Sequence, residues 1–126
     1  MKILVTGGTG FLGRRTVEVL ASRGHALRLL VRRGSSREQF PASVEFAEGD
    51  VTDRTSVEAA ACGCNAILHA AALVKILAPR EEFDRINVGG LENVLAVAEK
   101  LGTSKVVYVS SFIALGPTEN GSANGQ

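Results

Sequence analysis

Short, continuously apolar runs alternate along the chain with longer stretches whose apolar positions recur every three or four residues. Runs of the first kind are typical of strands buried on both faces of a sheet, and stretches of the second kind are typical of amphipathic helices. The pattern predicts five strands, over residues 2–6, 26–32, 44–47, 66–71 and 105–110.

Helical stretches are predicted over residues 10–23, 54–61 and 80–101. Asp53 directly precedes the second stretch, and an aspartate is a favoured N-terminal cap. The third stretch carries Gly89 and Gly90 in its middle, where an interior glycine costs about 1 kcal/mol relative to alanine. This pair predicts either a kink or the close approach of another backbone or a ligand.

The alternation of strands and helices predicts an α/β fold with a doubly wound parallel sheet, because helical crossovers join parallel strands. The expected strand order is 3-2-1-4-5. At 126 residues the chain is about one domain long, with no room for a separate substrate domain. We expect this domain to occupy residues 1–116, and residues 117–126, rich in Gly, Asn, Ser and Pro, to form a loop or truncated tail.

Composition fits a globular protein, with 45% hydrophobic and 21% charged residues. The apolar runs are far shorter than the roughly 18 residues of a membrane span, and the first residues lack the features of a secretory signal. We therefore expect a cytoplasmic protein with no membrane partner. Cys62 and Cys64 have no Cys or His cluster nearby, so we expect neither a disulfide framework nor a metal site, and both thiols should be buried or lie at a helix end.

The net charge of +1 hides an uneven distribution. Residues 1–37 hold eight of the 14 Lys and Arg residues but a single acid, Glu18. These basic residues are scattered among strand and helix patterns and form no run with interleaved aromatics. The charge therefore favours a local anionic ligand over nucleic acid.

The first strand runs into Thr6-Gly-Gly-Thr-Gly-Phe-Leu-Gly13, where the first helix opens. In this context the glycines match a dinucleotide-binding loop: the first pair permits a tight turn, Gly10 lets the backbone approach a pyrophosphate, and Gly13 lets the helix pack closely on its strand. Backbone N–H groups at the helix start would bind the phosphates with help from the helix dipole. The alternative is a tight β–α turn without a ligand. The expected cofactor-binding residues here are Gly7, Gly8, Thr9, Gly10, Phe11, Leu12 and Gly13.

Arg32 and Arg33 lie at the end of the second predicted strand, where an NAD-binding protein usually has an Asp or Glu for the ribose hydroxyls. No acid lies between Glu18 and Glu38. Because arginine pairs with a 2′-phosphate that a carboxylate would repel, the pattern predicts NADP as the preferred cofactor, with NAD as the alternative. The competing interpretation is that both arginines are solvated loop residues.

Taken together, five segments in this order resemble the extended short-chain dehydrogenase/reductases, also called the NAD-dependent epimerase/dehydratase family. The resemblance covers essentially the whole chain and implies a Rossmann fold. The segments are Thr6-Gly-Gly-Thr-Gly-Phe-Leu-Gly13, Gly49-Asp-Val-Thr-Asp53, His69-Ala-Ala71, Asn87-Val-Gly-Gly-Leu-Glu-Asn-Val94 and Tyr108-Val-Ser-Ser111. The stretch over residues 110–117 looks most like the dihydroflavonol-reductase-like branch, whose members reduce a ketone or aldehyde on a small organic substrate.

The resemblance also implies further cofactor contacts at strand ends, where ligands bind in open α/β sheets. Asp50 and Val51 would contact the adenine end, while His69, Ala70 and Ala71 would line the middle of the cofactor. Without the family, Asp50 is equally a loop or capping residue and His69 a satisfied core histidine. The resemblance adds Asn87 to the cofactor-binding residues, although periodicity alone leaves it an exposed polar residue of a helix.

Ser111 matches the family's catalytic serine or threonine, which hydrogen-bonds the substrate oxygen, and Ser110 is the alternative one position earlier. A serine pair at a strand end is, however, more often turn chemistry. The family's acid/base is a tyrosine in a Tyr-x-x-x-Lys pair, and this sequence has none: its single tyrosine, Tyr108, is followed four residues later by Phe112. The chain is therefore expected to be an amino-terminal fragment or truncated product, incomplete at its C-terminal end.

These observations lead to a functional hypothesis with an alternative from a different class. The chain is expected to be the NADP-preferring cofactor part of an oxidoreductase or epimerase/dehydratase acting by hydride transfer on a small carbonyl or hydroxyl substrate. The alternative is a noncatalytic dinucleotide-binding module or an inactive fragment. The family resemblance also implies a homodimer formed through the long helix.

Overall fold

The computed structural model describes residues 1–115, and these form a parallel sheet with helices on both faces. The five strands are β1 (Lys2–Thr6), β2 (Ala26–Val31), β3 (Glu45–Glu48), β4 (Ala66–His69) and β5 (Lys105–Tyr108). Their order across the sheet is β3-β2-β1-β4-β5, and every neighbouring pair is parallel. The predicted doubly wound fold and strand order are confirmed.

Several strands end earlier than their apolar runs, and β4 shows why. The pairing of β1 with β4 stops at Thr6 and His69, because Gly7 then turns the chain away with a φ of 72°. Beyond His69 the last backbone hydrogen bond to β1 runs from the Ala70 N–H to the Thr6 carbonyl oxygen, and Ala70 and Ala71 lie in a loop instead of in the strand that the apolar pattern predicts. This shift places both alanines above the end of the sheet.

Two apolar clusters, one on each face of the sheet, form the core. Alternate residues of the central strands point to opposite faces, which divides them between the clusters. The cluster beside the first helix, α1 (Phe11–Ser22), contains Ile3, Val5, Val17, Leu27, Leu29, Val31, Phe40, Val44 and Ala66. The opposite cluster lies under the helices α2 (Arg54–Ala61) and α4 (Gly89–Leu101) and contains Leu4, Leu30, Val51, Val57, Ala60, Ala61, Ile67, Val94, Val97 and Ala98.

The long predicted helix is divided into three parts. A short helix α3 (Arg80–Phe83) leads into a π-helical turn (Asp84–Val88), and α4 follows. Gly90 is buried against Val51, and a Cβ atom at position 90 would lie 2.9 Å from a methyl carbon of Val51. The group that approaches Gly90 closely is therefore the Val51 side chain, instead of the backbone or ligand that the glycine pair predicts, whereas at Gly89 the nearest atom to such a Cβ is 3.7 Å away.

The ends of the helices follow local chemistry. The Asp53 carboxylate caps α2 by accepting a hydrogen bond from the Thr55 N–H at 3.1 Å, as predicted. Cys62, exposed, ends the same helix, and Cys64 is half-buried two residues later. Within residues 1–115 no helix is both long and apolar enough to cross a membrane, and no cluster of metal-ligating side chains is found.

Candidate functional site

A cleft of about 280 Å³ opens at the carboxyl ends of the strands. It lies at the carboxyl ends of the adjacent strands β1 and β4, where the strand order reverses, which is the position at which ligands bind in open α/β sheets. The glycine loop, the end of β2, the loops after β3 and β4 and the π-helical turn all contribute to its lining. The lining residues are Thr6, Gly7, Thr9, Gly10, Leu30, Val31, Arg32, Ser35, Gly49, Asp50, Val51, Ala70, Ala71, Ala72, Leu73 and Ile86.

The glycine loop is packed so tightly that side chains are excluded at two of its positions. A Cβ atom at Gly7 would lie 2.5 Å from the backbone carbon of Ala70 and from the nitrogen of Ala71. At Gly13 a Cβ atom would overlap the carbonyl oxygen of Gly7. At Gly10, by contrast, the nearest atom would be 3.4 Å away. Gly7 and Gly13 therefore hold the loop on the neighbouring backbone, whereas Gly10 leaves space on the cleft side.

The N-terminus of α1 presents backbone donors at this loop. Gly10 is the N-cap in an extended conformation, and no side chain caps the helix or adds an acid to its first turn. The N–H groups of a helix's first turn lack partners within the helix, and its dipole favours anions there. The side chain of Phe11 is fully exposed and that of Leu12 is half-exposed, so neither side chain belongs to the lining. Any contribution of Phe11, Leu12 or Gly13 to anion binding is a backbone one.

One side of the cleft combines a carboxylate with basic residues. The Asp50 carboxylate accepts hydrogen bonds from the Thr52 N–H at 2.9 Å and from the Thr52 hydroxyl at 2.8 Å. Burial opposes ionisation of Asp50, but these two hydrogen bonds and the charges of Arg32 and Arg85 hold its pKa below the ordinary value. Arg32 lines the cleft, as does Ser35, whereas Arg33 does not. Asp50 is thus an ionised group set among cations.

Ala70 and Ala71 lie in the lining, but His69 lies beneath it. The His69 side chain is 1% exposed, its Nδ1 is 2.7 Å from the Thr6 hydroxyl, and its ring stacks on Tyr108. The Thr6 hydroxyl also accepts a hydrogen bond from the Ala71 N–H at 3.3 Å. Burial lowers the pKa of His69, and its Nε2 has no hydrogen-bond partner among residues 1–115. His69 therefore supports the floor of the cleft from within the sheet.

Asn87 also acts on the lining from behind. Its Oδ1 accepts a hydrogen bond from the Leu73 N–H at 2.7 Å, and its Nδ2 donates to the Leu73 carbonyl oxygen at 3.2 Å. Leu73 belongs to the lining and Asn87 does not. The side chain thus replaces a strand partner for the loop after β4. Asn93, to which the sequence analysis assigned no role, donates to the carbonyl oxygen of Val51 at 2.8 Å.

Ser111 lies just beyond β5, at the same edge of the sheet as the cleft. Its side chain is exposed, and its carbonyl oxygen accepts a hydrogen bond from the Ala114 N–H at 3.0 Å. The Val109 N–H donates to the His69 carbonyl oxygen, which keeps this segment beside the end of β4. Tyr108 is half-exposed at the end of the edge strand. Neither Tyr108 nor Ser111 belongs to the lining of the cleft.

The parallel sheet, the glycine loop and the cleft at the strand ends define a Rossmann-type α/β domain. The NAD-dependent epimerase/dehydratase family model matches residues 3–124, and the chain belongs to this family. This confirms the family resemblance that the five segments indicated.

Individual relatives are similar over most of this chain but are much longer. The chain is 38% identical to sterol demethylase protein B of Methylococcus capsulatus, covering 98% of this chain and 38% of that protein. It is 36% identical to the 3 beta-hydroxysteroid dehydrogenase/Delta 5-->4-isomerase of Mycobacterium tuberculosis, covering 87% and 31%. The structure of Thermus thermophilus UDP-glucose 4-epimerase, a complex with NAD, is similar with a TM-score of 0.82 at 30% identity, covering 97% and 42%. The chain thus spans well under half the length of these proteins.

Proposed function

We propose that this chain is the NADP-preferring cofactor part of an oxidoreductase or epimerase/dehydratase. The observation that carries the proposal is the uncapped N-terminus of α1, which opens beside Gly10 on a cleft lined by backbone. The complex of the similar UDP-glucose 4-epimerase with NAD supports a nicotinamide dinucleotide as the ligand. On this proposal residues 1–116 are the dinucleotide-binding domain, and the loop or tail expected over residues 117–126 lies outside the described residues.

The residues present fit such a cofactor in charge and shape. Backbone N–H groups of the glycine loop would bind the pyrophosphate, Asp50 and Val51 the adenine end, and Ala70 and Ala71 the middle of the molecule. His69 and Asn87 would serve the cofactor indirectly, by holding Thr6 and Leu73. When bound, the nicotinamide ring supplies or accepts the hydride.

Preference for NADP over NAD is assigned mainly to Arg32. Arg32 directly follows β2 and lines the cleft, where its guanidinium could donate charge-assisted hydrogen bonds to a 2′-phosphate. Arg33 lies outside the lining and supplies at most a more distant positive charge. The two arginines therefore provide a matched pair of variants.

The test compares NADPH and NADH binding to Arg32→Ala and Arg33→Ala by calorimetric titration. Charge-assisted hydrogen bonds are worth about 1.5–3 kcal/mol, so Arg32→Ala should weaken NADPH binding by roughly tenfold or more while NADH binding changes little. Arg33→Ala should have a smaller effect. If both variants keep the preference for NADPH over NADH unchanged, the NADP assignment is wrong. It is also wrong if the unsubstituted chain binds NADH more tightly than NADPH.

The substrate chemistry belongs to the whole parent protein. We propose reduction or oxidation of a carbonyl or hydroxyl group on a small organic molecule, as in the dihydroflavonol-reductase-like branch that residues 110–117 resemble, with Ser111 binding the substrate oxygen. The position of Ser111 at the cleft's edge of the sheet supports this role. The protein is proposed to act in the cytoplasm.

A second candidate, a dinucleotide-binding module without turnover, is favoured by the position of Tyr108. This tyrosine lies in β5 against His69 and has no lysine four residues later, so it does not form the family's acid/base pair. Turnover by the whole parent protein discriminates between the candidates. NADPH oxidation with any member of a panel of carbonyl compounds supports the enzyme, and binding without oxidation supports the module.

Pairing with a second copy through the long helix is the proposed assembly. Val88, Leu95 and Leu101 are large apolar residues of this region that are 52%, 49% and 38% exposed. Burying them between two copies would remove apolar surface from water. Sedimentation equilibrium tests this proposal, since a Leu95→Glu variant should shift a dimer toward the monomer.

A further inference from the structure

The side chain of Asn93 holds a backbone segment that lines the cleft, although it is outside the lining itself. Its Nδ2 donates to the Val51 carbonyl oxygen at 2.8 Å, while its Oδ1 accepts a hydrogen bond from the Arg54 Nε at 3.2 Å. The residue is half-buried, and both polar ends of its amide are used. The amide is therefore fixed in orientation, with its donor directed at the loop after β3.

Gly90 adds a second contact between the same helix and the same loop. Residues three apart lie on one side of an α-helix, so Gly90 and Asn93 both face Val51. The missing side chain at position 90 allows the Val51 side chain to approach, since a Cβ atom there would be only 2.9 Å from it. The helix α4 thus holds Val51 through its side chain and through its carbonyl oxygen.

The adjoining residue of the loop is held by α2. The Asp50 N–H donates to the Ser56 hydroxyl at 3.0 Å, and the same hydroxyl lies 2.9 Å from the Asp50 carbonyl oxygen. Asp50 and Val51 both line the cleft. Because Ser56 already fixes Asp50, the Asn93 hydrogen bond is the polar contact that fixes Val51 from the α4 side.

Asn87 provides an internal comparison six residues earlier. It holds Leu73, in the loop after β4, by the same chemistry of a side-chain amide bound to backbone. The two asparagines therefore act on two different parts of the lining. If the whole helical region shifts, the loop after β3 and the loop after β4 should both move. If only one asparagine side chain is removed, only the loop that it holds should move.

We propose that Asn93 is a positioning residue for the adenine end of the bound dinucleotide, acting through the Val51 carbonyl group. This inference rests on the proposed function, in which Asp50 and Val51 contact the adenine. Without the Asn93 donor the Val51 backbone is free to shift, and the wall that contacts the adenine loses its fixed position. The pyrophosphate contacts of the glycine loop, on β1 and α1, remain as they are.

The test measures binding of adenosine monophosphate (AMP) and of NADPH to three variants. Asn93→Asp removes the donor to Val51 but keeps the shape and the acceptor for Arg54, Asn93→Ala removes both, and Asn87→Ala is the matched control. Both Asn93 variants should weaken AMP binding by about tenfold, and Asn87→Ala should weaken NADPH binding while changing AMP binding by less than about twofold. Melting temperatures establish that each variant is folded, and a variant that is not folded is replaced by Asn93→Ser in the same titrations.

The outcomes separate this inference from the proposed function. If the folded Asn93 variants bind AMP as tightly as the unsubstituted chain does, the positioning role is wrong. It is also wrong if Asn87→Ala lowers the AMP affinity by the same factor. In both cases NADPH binding by the unsubstituted chain still supports the proposed function. NADPH binding by the parent chain without competition from AMP would also overturn the positioning role. A parent chain that binds neither nucleotide would overturn the proposed function itself.

Discussion

The middle of the sheet's carboxyl edge and its β5 end differ in how completely their side chains are covered. At the glycine loop, which follows the central strand β1, Thr6 is fully buried and His69 is 1% exposed, and the two side chains are joined by a hydrogen bond. At the β5 end, Val107 and Tyr108 of the edge strand are 45% and 47% exposed. The cofactor side of the cleft is thus built from contacts within this chain, whereas the β5 side presents apolar surface to solvent.

The segment after β4 changes from half-buried to exposed within a few residues. Leu73 is half-buried in the cleft lining and held by Asn87, but Val74, Ile76 and Leu77 are 90%, 99% and 93% exposed. Contiguous exposed apolar side chains mark a surface that another molecule or another part of a protein covers. The difference teaches that the proposed ligand binding at the glycine loop and the proposed chemistry at the β5 end have separate structural requirements.

The largest expected effect on ligand binding is in the covered region, at Gly13. Gly13→Ala places a methyl group on the Gly7 carbonyl oxygen, and overpacking of this kind costs typically about 1–3 kcal/mol. The loop must open, so NADPH binding should be lost together with a clear fall in the free energy of unfolding. Chemical denaturation and calorimetric titration measure the two quantities.

Gly10→Ala is the control for that substitution. A Cβ atom at position 10 meets no atom nearer than 3.4 Å, so the fold should keep its stability to within about 0.5 kcal/mol while the added methyl obstructs the pyrophosphate. Equal destabilisation by the two variants would contradict the separate roles given to these glycines.

An intermediate effect is expected from pH, through the buried His69. Burial lowers its pKa below 6.5 in the folded protein, so the unfolded chain binds the proton more readily. Stability should therefore be complete above about pH 6.5 and should fall as the pH drops below that value toward the folded pKa. Thermal unfolding between about pH 8 and pH 5.5 measures this dependence.

Two variants show whether that pH dependence belongs to His69. His69→Asn should flatten the fall in melting temperature, whereas His25→Gln should leave it unchanged. The low pKa of Asp50 does not interfere, because its loss of stabilisation begins only near its ordinary pKa of 3.8, below this range. If the melting temperature of His69→Asn falls with decreasing pH as steeply as that of the unsubstituted chain, another group governs the pH dependence of stability.

The smallest expected effect is in the exposed region. Leu77 is 93% exposed, so Leu77→Ala should change the free energy of unfolding by no more than about 0.5 kcal/mol. Leu29, which is fully buried, is the matched position, and Leu29→Ala should cost about 2–5 kcal/mol. Denaturation curves for both variants measure the contrast, and similar losses would mean that Leu77 is packed against the fold.

Local chemistry explains how much could be predicted from the sequence. The turn of the glycine loop and the Asp53 cap are set largely by neighbouring residues, so their spacing predicted them. Apolar periodicity predicted the alternation of strands and helices, and the crossover rule then predicted the strand order. The ends of β4 and the π-helical turn depend on distant contacts, such as the pairing of Thr6 with His69. The pattern of apolar and polar residues within one segment does not show which distant residues that segment contacts.

The same distinction separates the site residues. The position of Arg32 in the lining followed from its place after β2, but nothing local distinguishes it from Arg33. Asn93 had no signal other than its place in the family segment, because its role depends on Val51, 42 residues earlier. Long-range hydrogen bonds from α4 could only be found once the helix was placed on the sheet.

The central claim is that this chain binds a nicotinamide dinucleotide at the glycine loop and prefers NADP. The most direct measurement is calorimetric titration of the unsubstituted 126-residue chain with NADPH and with NADH, repeated on the Gly10→Ala variant. The account predicts saturable binding of both, with NADPH the tighter ligand, and loss of binding in a folded Gly10→Ala variant. Absence of saturable binding to the folded parent chain, or equal binding by Gly10→Ala, would contradict it.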